Sequence, residues 1–145
     1  MGHTYTSTLF HLVFSTKERR PAIANGPKLW AYVSGVARNL HYEPFAIGGT
    51  ENHVHVLVRL PSQVPVAEAV QKLKSNPSRW LRQTGPWAGW QEGYGAFSVS
   101  ASNVDAVRHY IQNQPEHHRL HSFEDEFLAL LTKSGVSFKR AEVFD

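Results

Sequence analysis

Two histidines separated by a single residue, His53-Val54-His55, lie in one of the most β-branched stretches of the sequence. Residues two apart in a strand point to the same face, so both imidazoles would lie side by side, with Arg59 further along that face. Two imidazoles at this spacing can hold one divalent ion, and a nearby guanidinium can bind a phosphate. Since the chain has nine histidines, the pattern also arises by chance, and a pair of half-exposed strand histidines is the alternative.

Tyr110 and Gln114 form a second pair with chemical potential, four residues apart in a segment that predicts a helix. Residues four apart share a helix face, so a phenol able to act as a nucleophile would stand beside an amide able to bind a metal. The alternative is a partly buried tyrosine with an exposed glutamine. Pro115 follows Gln114 directly, which restricts the backbone of Gln114 and can break the helix there.

A rival group of histidines follows at His117, His118 and His121. His117 and His121 could share a helix face and hold a metal ion, as in a small metallohydrolase. No HExxH motif and no acidic general base lie between them, so a solvated helix end is the favoured interpretation. The acidic run at residues 124–126 is interpreted as a helix start, where the helix dipole favours carboxylates.

Composition excludes several other kinds of chemistry. The absence of cysteine rules out disulfide scaffolds, iron–sulfur clusters, cysteine-ligated zinc and thiol nucleophiles, and it fits the cytoplasmic location that we expect. No phosphate-binding loop, GxGxxG or GxSxG motif is present, and no apolar run approaches a membrane span. The 145 residues, 41% of them hydrophobic, predict one domain over residues 1–145 with a packed core.

The net charge of +3 is unevenly distributed, with a basic body and an acidic C-terminal tail. The densest basic stretch, residues 71–83, has no acidic residue, and a second basic cluster occupies residues 17–20. Such a distribution permits a polyanionic partner, although a solvated helix face and a charged turn would look the same. The four tryptophans could stack on bases, but helical spacing predicts that Trp30 and Trp80 belong to the core.

The elements that must position these residues follow from hydrophobic periodicity. Strands are predicted at residues 4–15, 43–48, 52–60 and 94–100. Helices are predicted at residues 27–40, 66–81, 103–114 and 123–133, with Pro77 a point where the second could kink. The order is that of an α+β fold, a ferredoxin-like βαββαβ antiparallel sheet with added C-terminal helices. We expect Val54, Val56 and Val58 to face the core, and the opposite sheet face to be free for a site.

Several segments occur in a characteristic order along the chain: residues 10–17, His53-Val54-His55, residues 90–100, residues 110–118 and residues 127–136. Together they resemble the small single-tyrosine transposases of bacterial insertion sequences, the IS200/IS605 type with its REP-associated branch. These enzymes belong to the HUH endonuclease superfamily, named for the His-hydrophobe-His motif. The resemblance covers nearly the whole chain and implies the HUH endonuclease fold.

The resemblance also implies a chemistry. His53, His55 and Gln114 would bind Mg²⁺ or Mn²⁺, and Tyr110 would attack a phosphorus of single-stranded DNA. The products would be a 5′-phosphotyrosine and a free 3′-OH, which could later attack such a linkage and rejoin strands. Because a covalent intermediate conserves the bond energy, no ATP site is needed.

The partners implied by the resemblance are single-stranded DNA, often with a hairpin, and a second copy of the chain. In the implied homodimer, the tyrosine helix of one subunit completes the site of the other. The basic residues are the candidate phosphate contacts. They are Lys17, Arg19, Arg20, Arg59, Lys72, Lys74, Arg79 and Arg82.

Two further interpretations remain open beside the transposase and the metallohydrolase. One is a domesticated relative that acts on chromosomal repeats. The other is a non-catalytic protein that binds single-stranded nucleic acid, for which exposed aromatic residues are expected in the middle of two strands. The strand at residues 52–60 carries none, which disfavours an RNA-recognition sheet.

Overall fold

An antiparallel sheet lies at the centre of the protein, whose computed structural model describes residues 2–145. Its strands, in the spatial order β2-β3-β1-β4, are β1 (Leu9–Ser15), β2 (Glu43–Thr50), β3 (His53–Arg59) and β4 (Gly95–Val99). The helices are α1 (Gly26–Asn39), α2 (Val66–Thr84), α3 (Val104–Gln112), α4 (Gln114–His117) and α5 (Phe123–Lys133). The predicted α+β class, with a βαββαβ core and added C-terminal helices, is confirmed.

One face of the sheet packs on α1 and α2. Val54, Val56 and Val58 are fully buried there, as the all-valine face of this strand predicts. Trp30 and Trp80 pack against the same core. Pro77 lies inside α2, and the helix continues through it to Thr84. This layer covers the sheet face opposite the one that carries the candidate histidines.

The opposite face is covered by α3 and α5, so the prediction of a free face is wrong. Val13 and Phe97 pack against Phe123 and Leu131 of α5. Leu57 and Ala46 pack against Ile111 of α3. The strands therefore present apolar residues on both faces of the sheet, and those on the second face are buried by a second layer of helices.

The β2–β3 hairpin turns at residues 51–52, later than the predicted end of the strand at Gly48. Gly48 and Gly49 remain inside β2. A Cβ atom on Gly48 would lie 2.6 Å from the carbonyl oxygen of Ile111. This glycine therefore allows α3 to approach the sheet closely, which positions the residues that follow Ile111.

The segment after Tyr110 changes direction where the sequence places a proline. Helix α3 ends at Gln112, and Asn113 leaves the helical conformation with φ −97° and ψ 16°. Helix α4 begins at Gln114 with Pro115 in its first turn, a position that needs no backbone N–H donor.

Within residues 2–145, no helix is both long enough and apolar enough to cross a membrane.

Candidate metal centre

His53 and His55 lie on the face of β3 that is covered by α3 and α5, and both are fully buried. The alternative of half-exposed strand histidines is therefore wrong. The Nδ1 atom of His53 lies 2.8 Å from Asn52 Oδ1 and 3.1 Å from Thr50 Oγ1. The Nδ1 atom of His55 lies 2.7 Å from Nε2 of His11 on β1. These contacts orient both rings so that their Nε2 atoms face the same space.

The carboxylate of Glu126 on α5 lies at the centre of that space. Its Oε1 atom is 3.0 Å from His55 Nε2, 3.1 Å from His118 Nε2 and 3.5 Å from His53 Nε2. His53, His55, His118 and Glu126 each offer a ligand atom, and these atoms lie within 4.8 Å of one another. A buried group of imidazole nitrogens and a carboxylate oxygen can bind a divalent metal ion.

Gln114 joins this group from the first position of α4 and is fully buried. Its Oε1 atom lies 2.9 Å from His53 Nε2 and 3.0 Å from His118 Nε2. Its side-chain nitrogen donates to Glu126 Oε2 at 2.8 Å. The alternative of an exposed glutamine is therefore wrong, and Gln114 both adjoins the histidines and holds the carboxylate.

Tyr110 reaches the same carboxylate from α3. Its hydroxyl donates a hydrogen bond to Glu126 Oε2. Its ring meets the imidazoles of His11 and His55 edge-on, with centroid distances of 6.1 and 5.8 Å. The phenol and the candidate metal-binding group of one chain are thus in direct contact.

Burial determines the charge of the histidines that line the sheet. Burial, together with the neighbouring His55, lowers the pKa of His11 to about 3. Burial, with His55 again, likewise lowers the pKa of His53 to about 3. His53 is therefore neutral near pH 7, which is the form that binds a metal.

The pKa values of Glu126 and Tyr110, which share a hydrogen bond, shift in opposite directions. Burial opposes the ionisation of Glu126, but hydrogen bonds from His118 and His55 outweigh it and hold the pKa of the carboxyl well below its usual range. Burial raises the pKa of the Tyr110 phenol, and the adjacent Glu126 carboxylate raises it further. The carboxylate is therefore charged and the phenol is protonated.

Sequence reasoning missed Glu126, and it assigned His118 to a separate group at a solvated helix end, whereas His118 lies beside His53 and His55. The acidic run was expected to serve the start of a helix, and α5 does begin there, at Phe123 with Ser122 as its cap. Glu126, however, is only 4% exposed and lies three residues after the buried Phe123, on the same face. A charged residue within an apolar helix stripe is the signal that could have identified it. His121, in contrast, is exposed as predicted.

Several of the predicted phosphate contacts already have partners. Arg20, Arg59 and Lys72 form ion pairs with Glu18, Glu43 and Glu68, at 3.0, 2.7 and 3.6 Å respectively. All of these side chains are substantially exposed, so the pairs are weak and open to exchange with a phosphate.

Two other basic residues contact the loops around β4 and the C-terminal segment. Lys74 donates to the carbonyl oxygens of Gln91 and Gly93, at 3.0 and 2.7 Å. Arg19 donates to the carbonyl oxygen of Phe144 at 3.2 Å and lies over its ring. Within residues 2–145, no ion pair involves the exposed residues Lys17, Arg79 and Arg82.

Comparison with known proteins gives matches at the level of both sequence and structure. The family model for IS200-like transposases matches residues 4–114. A crystal structure assigned to a transposase from Deinococcus radiodurans R1 is similar with a TM-score of 0.61 and 24% identity, over 79% of this chain and 96% of that one. A REP-associated tyrosine transposase bound to a REP hairpin is similar with a TM-score of 0.58 and 17% identity, over 81% and 74%. A search of curated proteins found no match.

Proposed function

This chain belongs to the IS200-like transposase family, and we propose that it cuts and rejoins single-stranded DNA through Tyr110. The HUH endonuclease fold expected from the sequence is confirmed by the structural matches. One observation carries the proposed chemistry. The hydroxyl of Tyr110 and the donor atoms of the metal-binding group meet at the carboxylate of Glu126.

Tyr110 would act as the nucleophile toward a phosphodiester. A bond forms between the phenol oxygen and phosphorus while the bond from phosphorus to the 3′ oxygen breaks, which leaves a 5′-phosphotyrosine and a free 3′-OH. The 3′ oxygen takes its proton from water. The phenol must lose its proton as the new bond forms, and Glu126 already accepts the hydrogen bond of that hydroxyl. Because the pKa of that carboxyl is well below its usual range, Glu126 is a weak base, so we assign it to orienting the phenol oxygen and water to taking the proton.

Strand rejoining is the reverse of this step. The 3′-OH of another strand gives its proton to water and attacks the phosphorus of the phosphotyrosine. The new phosphodiester forms as the bond between phosphorus and the Tyr110 oxygen breaks, and the phenol recovers a proton from water. Because the energy of the broken bond is conserved in the covalent intermediate, the cycle needs no nucleotide cofactor.

The residues around Glu126 fit a divalent metal ion. His53 and His55 would hold it through their Nε2 atoms and Gln114 through its Oε1 atom, with His118 and Glu126 as further donors. A mixture of imidazole nitrogens with carboxylate and amide oxygens suits Mn²⁺, and the oxygen ligands also suit Mg²⁺. Bound there, the ion would polarise and orient the scissile phosphate.

The proposed substrate is single-stranded DNA with a hairpin. The similar REP-associated transposase is described in complex with a REP hairpin, which supports this choice. The exposed residues Arg79 and Arg82 on α2 and Lys17 near η1 (Lys17–Arg19) are the proposed contacts with the most freedom to bind phosphates. Arg19, Arg20, Arg59, Lys72 and Lys74 remain proposed contacts whose present partners a phosphate would have to replace.

We also propose a homodimer, as the family resemblance implies. The resemblance further implies exchange of the tyrosine helix between subunits. In the described chain, α3 brings Tyr110 to the histidines of its own subunit. A complete set of reacting groups therefore exists within one chain, whether or not two chains associate.

The test is covalent capture. The protein is incubated with Mn²⁺ and a labelled pool of single-stranded hairpin DNAs that includes sequences flanking the gene, and a denaturation-resistant adduct is measured. We expect the wild-type protein to form the adduct, and both Tyr110→Phe and His55→Ala to lose it. Tyr94→Phe is the matched control, because Tyr94 is exposed and lies just before β4.

Each outcome of covalent capture has a distinct meaning. An adduct that survives Tyr110→Phe would show that another residue is the nucleophile. Tight binding of flanking DNA without any adduct would favour a non-catalytic nucleic-acid-binding protein. Adduct formation only with repeat-derived hairpins would favour a domesticated relative that acts on chromosomal repeats.

A further inference from the structure

A cleft of about 470 Å³ lies between α3 and α5, beside the reacting groups. Three residues of α3 face it at helical spacing, namely Ala106, Val107 and Tyr110. Four residues of α5 face it from the other side, namely Glu126, Ala129, Leu130 and Lys133. The volume falls within the range of sites that enclose small ligands, which makes it large enough for one nucleotide and too small for a base pair with its backbones.

The two ends of this cleft differ in chemistry. At one end the helices are joined by the hydrogen bond from Tyr110 to Glu126. At the other end lie Asn103, which precedes α3, and Lys133, the last residue of α5. Each helix advances seven residues between the two ends, a distance of about 10 Å at the helical rise. The cleft therefore runs from the nucleophile to an exposed cation.

The walls between these ends are apolar. Alanine, valine and leucine side chains from the two helices face each other there, and the small alanines leave the space open. Beside Tyr110, the imidazole of His117 lines the same cleft, and its Nε2 atom is buried without a hydrogen-bond partner. That atom lies 3.4 Å from Glu126 Oε2. A polar group left without a partner is one that a bound polar ligand stabilises.

From this arrangement we infer that the cleft holds the unpaired nucleotide next to the scissile phosphate. The inference rests on the proposed function and specifies its substrate contacts. The base lies between the apolar walls, the scissile phosphate lies at Tyr110, and the adjacent phosphate lies at Lys133. Because only an unstacked, unpaired nucleotide fits between the helices, the cleft selects single-stranded over double-stranded DNA at the point of cleavage.

The test measures the binding of single-stranded DNA without chemistry. Anisotropy in EDTA gives the dissociation constant for a labelled pool of random single strands and for a blunt duplex. Ala129→Phe fills the middle of the cleft, and Lys133→Gln removes its cation. The matched controls are Ala31→Phe and Lys28→Gln, because both residues are exposed on α1, on the other side of the sheet. Thermal unfolding checks that every variant is folded.

We expect Ala129→Phe to weaken single-strand binding at least tenfold and Lys133→Gln at least threefold. Duplex binding and both controls should stay within twofold of wild type. Single-strand binding that is unchanged in Ala129→Phe and Lys133→Gln, or absent from the wild type, would overturn the inference. So would a loss of self-association in Ala129→Phe without a loss of DNA binding, because a second copy would then be the occupant.

Covalent capture separates failure of the inference from failure of the proposed function. If Ala129→Phe forms the Tyr110 adduct as well as wild type does, the cleft assignment fails and the function stands. If cleft variants lose single-strand binding but the wild type never forms an adduct, the cleft assignment stands and the proposed chemistry fails.

Discussion

The phenol of Tyr110 donates a hydrogen bond to the carboxylate of Glu126, which lies 16 residues later in the chain on a different helix. The other carboxylate oxygen of Glu126 is 3.0 Å from His55 and 3.1 Å from His118. One side chain thus connects the nucleophile proposed for this transposase to the histidines proposed to bind its metal ion. Changes at Glu126 should therefore affect both halves of the site.

Glu126→Gln should weaken Mn²⁺ binding at least tenfold, because it removes the negative charge on which the imidazoles converge. Isothermal calorimetry of the DNA-free protein measures this directly and does not depend on activity. Glu124→Gln is the matched control, since Glu124 is exposed in the first turn of the same helix. Equal Mn²⁺ affinity in Glu126→Gln and wild type would exclude the carboxylate from the metal site.

The metal-free protein should lose stability as the pH falls from about 6.5 toward about 3. Burial lowers the pKa of His11 and His53 from 6.5 to about 3, so over this range the unfolded chain binds more protons than the folded one. Each histidine then lowers the free energy of unfolding by at most about 1.4 kcal/mol per pH unit. The depressed pKa of Glu126 acts in the same direction below pH 4.5, and the raised pKa of His118 acts in the opposite direction above 6.5.

Urea unfolding in EDTA at several pH values measures this slope. His11→Asn should reduce it by about half between pH 6.5 and 5, since one of the two imidazoles whose pKa burial lowers to about 3 is then absent. A free energy of unfolding that stays constant across this range would contradict the burial of neutral histidines.

Sequence patterns were sufficient for the order of the elements because each pattern is local. The β-branched run around His53 and the helical spacing around Val107 depend on neighbours within a few residues. The same reasoning brought His53 and His55 to one face. Helical spacing also paired Gln114 with Tyr110, although α3 ends at Gln112 and Gln114 begins α4. The grouping of Gln114 with His53 and His55, in contrast, depended on family resemblance.

Glu126 and His118 could not be linked to the strand histidines by local reasoning. Their contact with β3 depends on how α5 docks on the sheet, a long-range arrangement that periodicity does not specify. The second apolar strand face, with Val13 and Leu57, was the available sign that another layer of helices must cover it. A charged residue buried within that layer, such as Glu126, is a candidate for a functional site.

Gly48→Ala should destabilise the protein by about 1–3 kcal/mol, because the added methyl group would collide with the backbone of Ile111. The collision pushes α3 away from the sheet and shifts Tyr110, so adduct formation should fall as well. Gly35→Ala is the control: it lies inside α1 with nothing within 4 Å of a Cβ atom, and it should stabilise by about 0.5–1 kcal/mol. Thermal and urea unfolding of both variants check this pair, and equal effects would contradict the close approach of α3.

Arg79→Gln and Arg82→Gln should each reduce DNA affinity and make the dependence on salt less steep. A phosphate contact with a single strand contributes about −0.7 to the slope of log K against log salt concentration. Binding titrations between low and moderate salt give that slope for each variant. Arg38→Gln on α1 is the control for loss of an exposed arginine. If Arg79→Gln and Arg82→Gln gave the same slope as the control Arg38→Gln, this part of α2 would be removed from the proposed DNA surface.

Mixing Tyr110→Phe with His55→Ala should not restore covalent capture. In the described chain Tyr110 contacts Glu126 of its own subunit, so one variant keeps the histidines without the phenol and the other keeps the phenol without His55. If the tyrosine helix crossed to a partner, a mixed dimer would contain one complete site, and about half of the dimers in an equal mixture would be mixed. The experiment compares adduct yield in the mixture, after subunit exchange, with each variant alone. An adduct only in the mixture would show that the helix is exchanged and that the contact between Tyr110 and Glu126 forms between subunits.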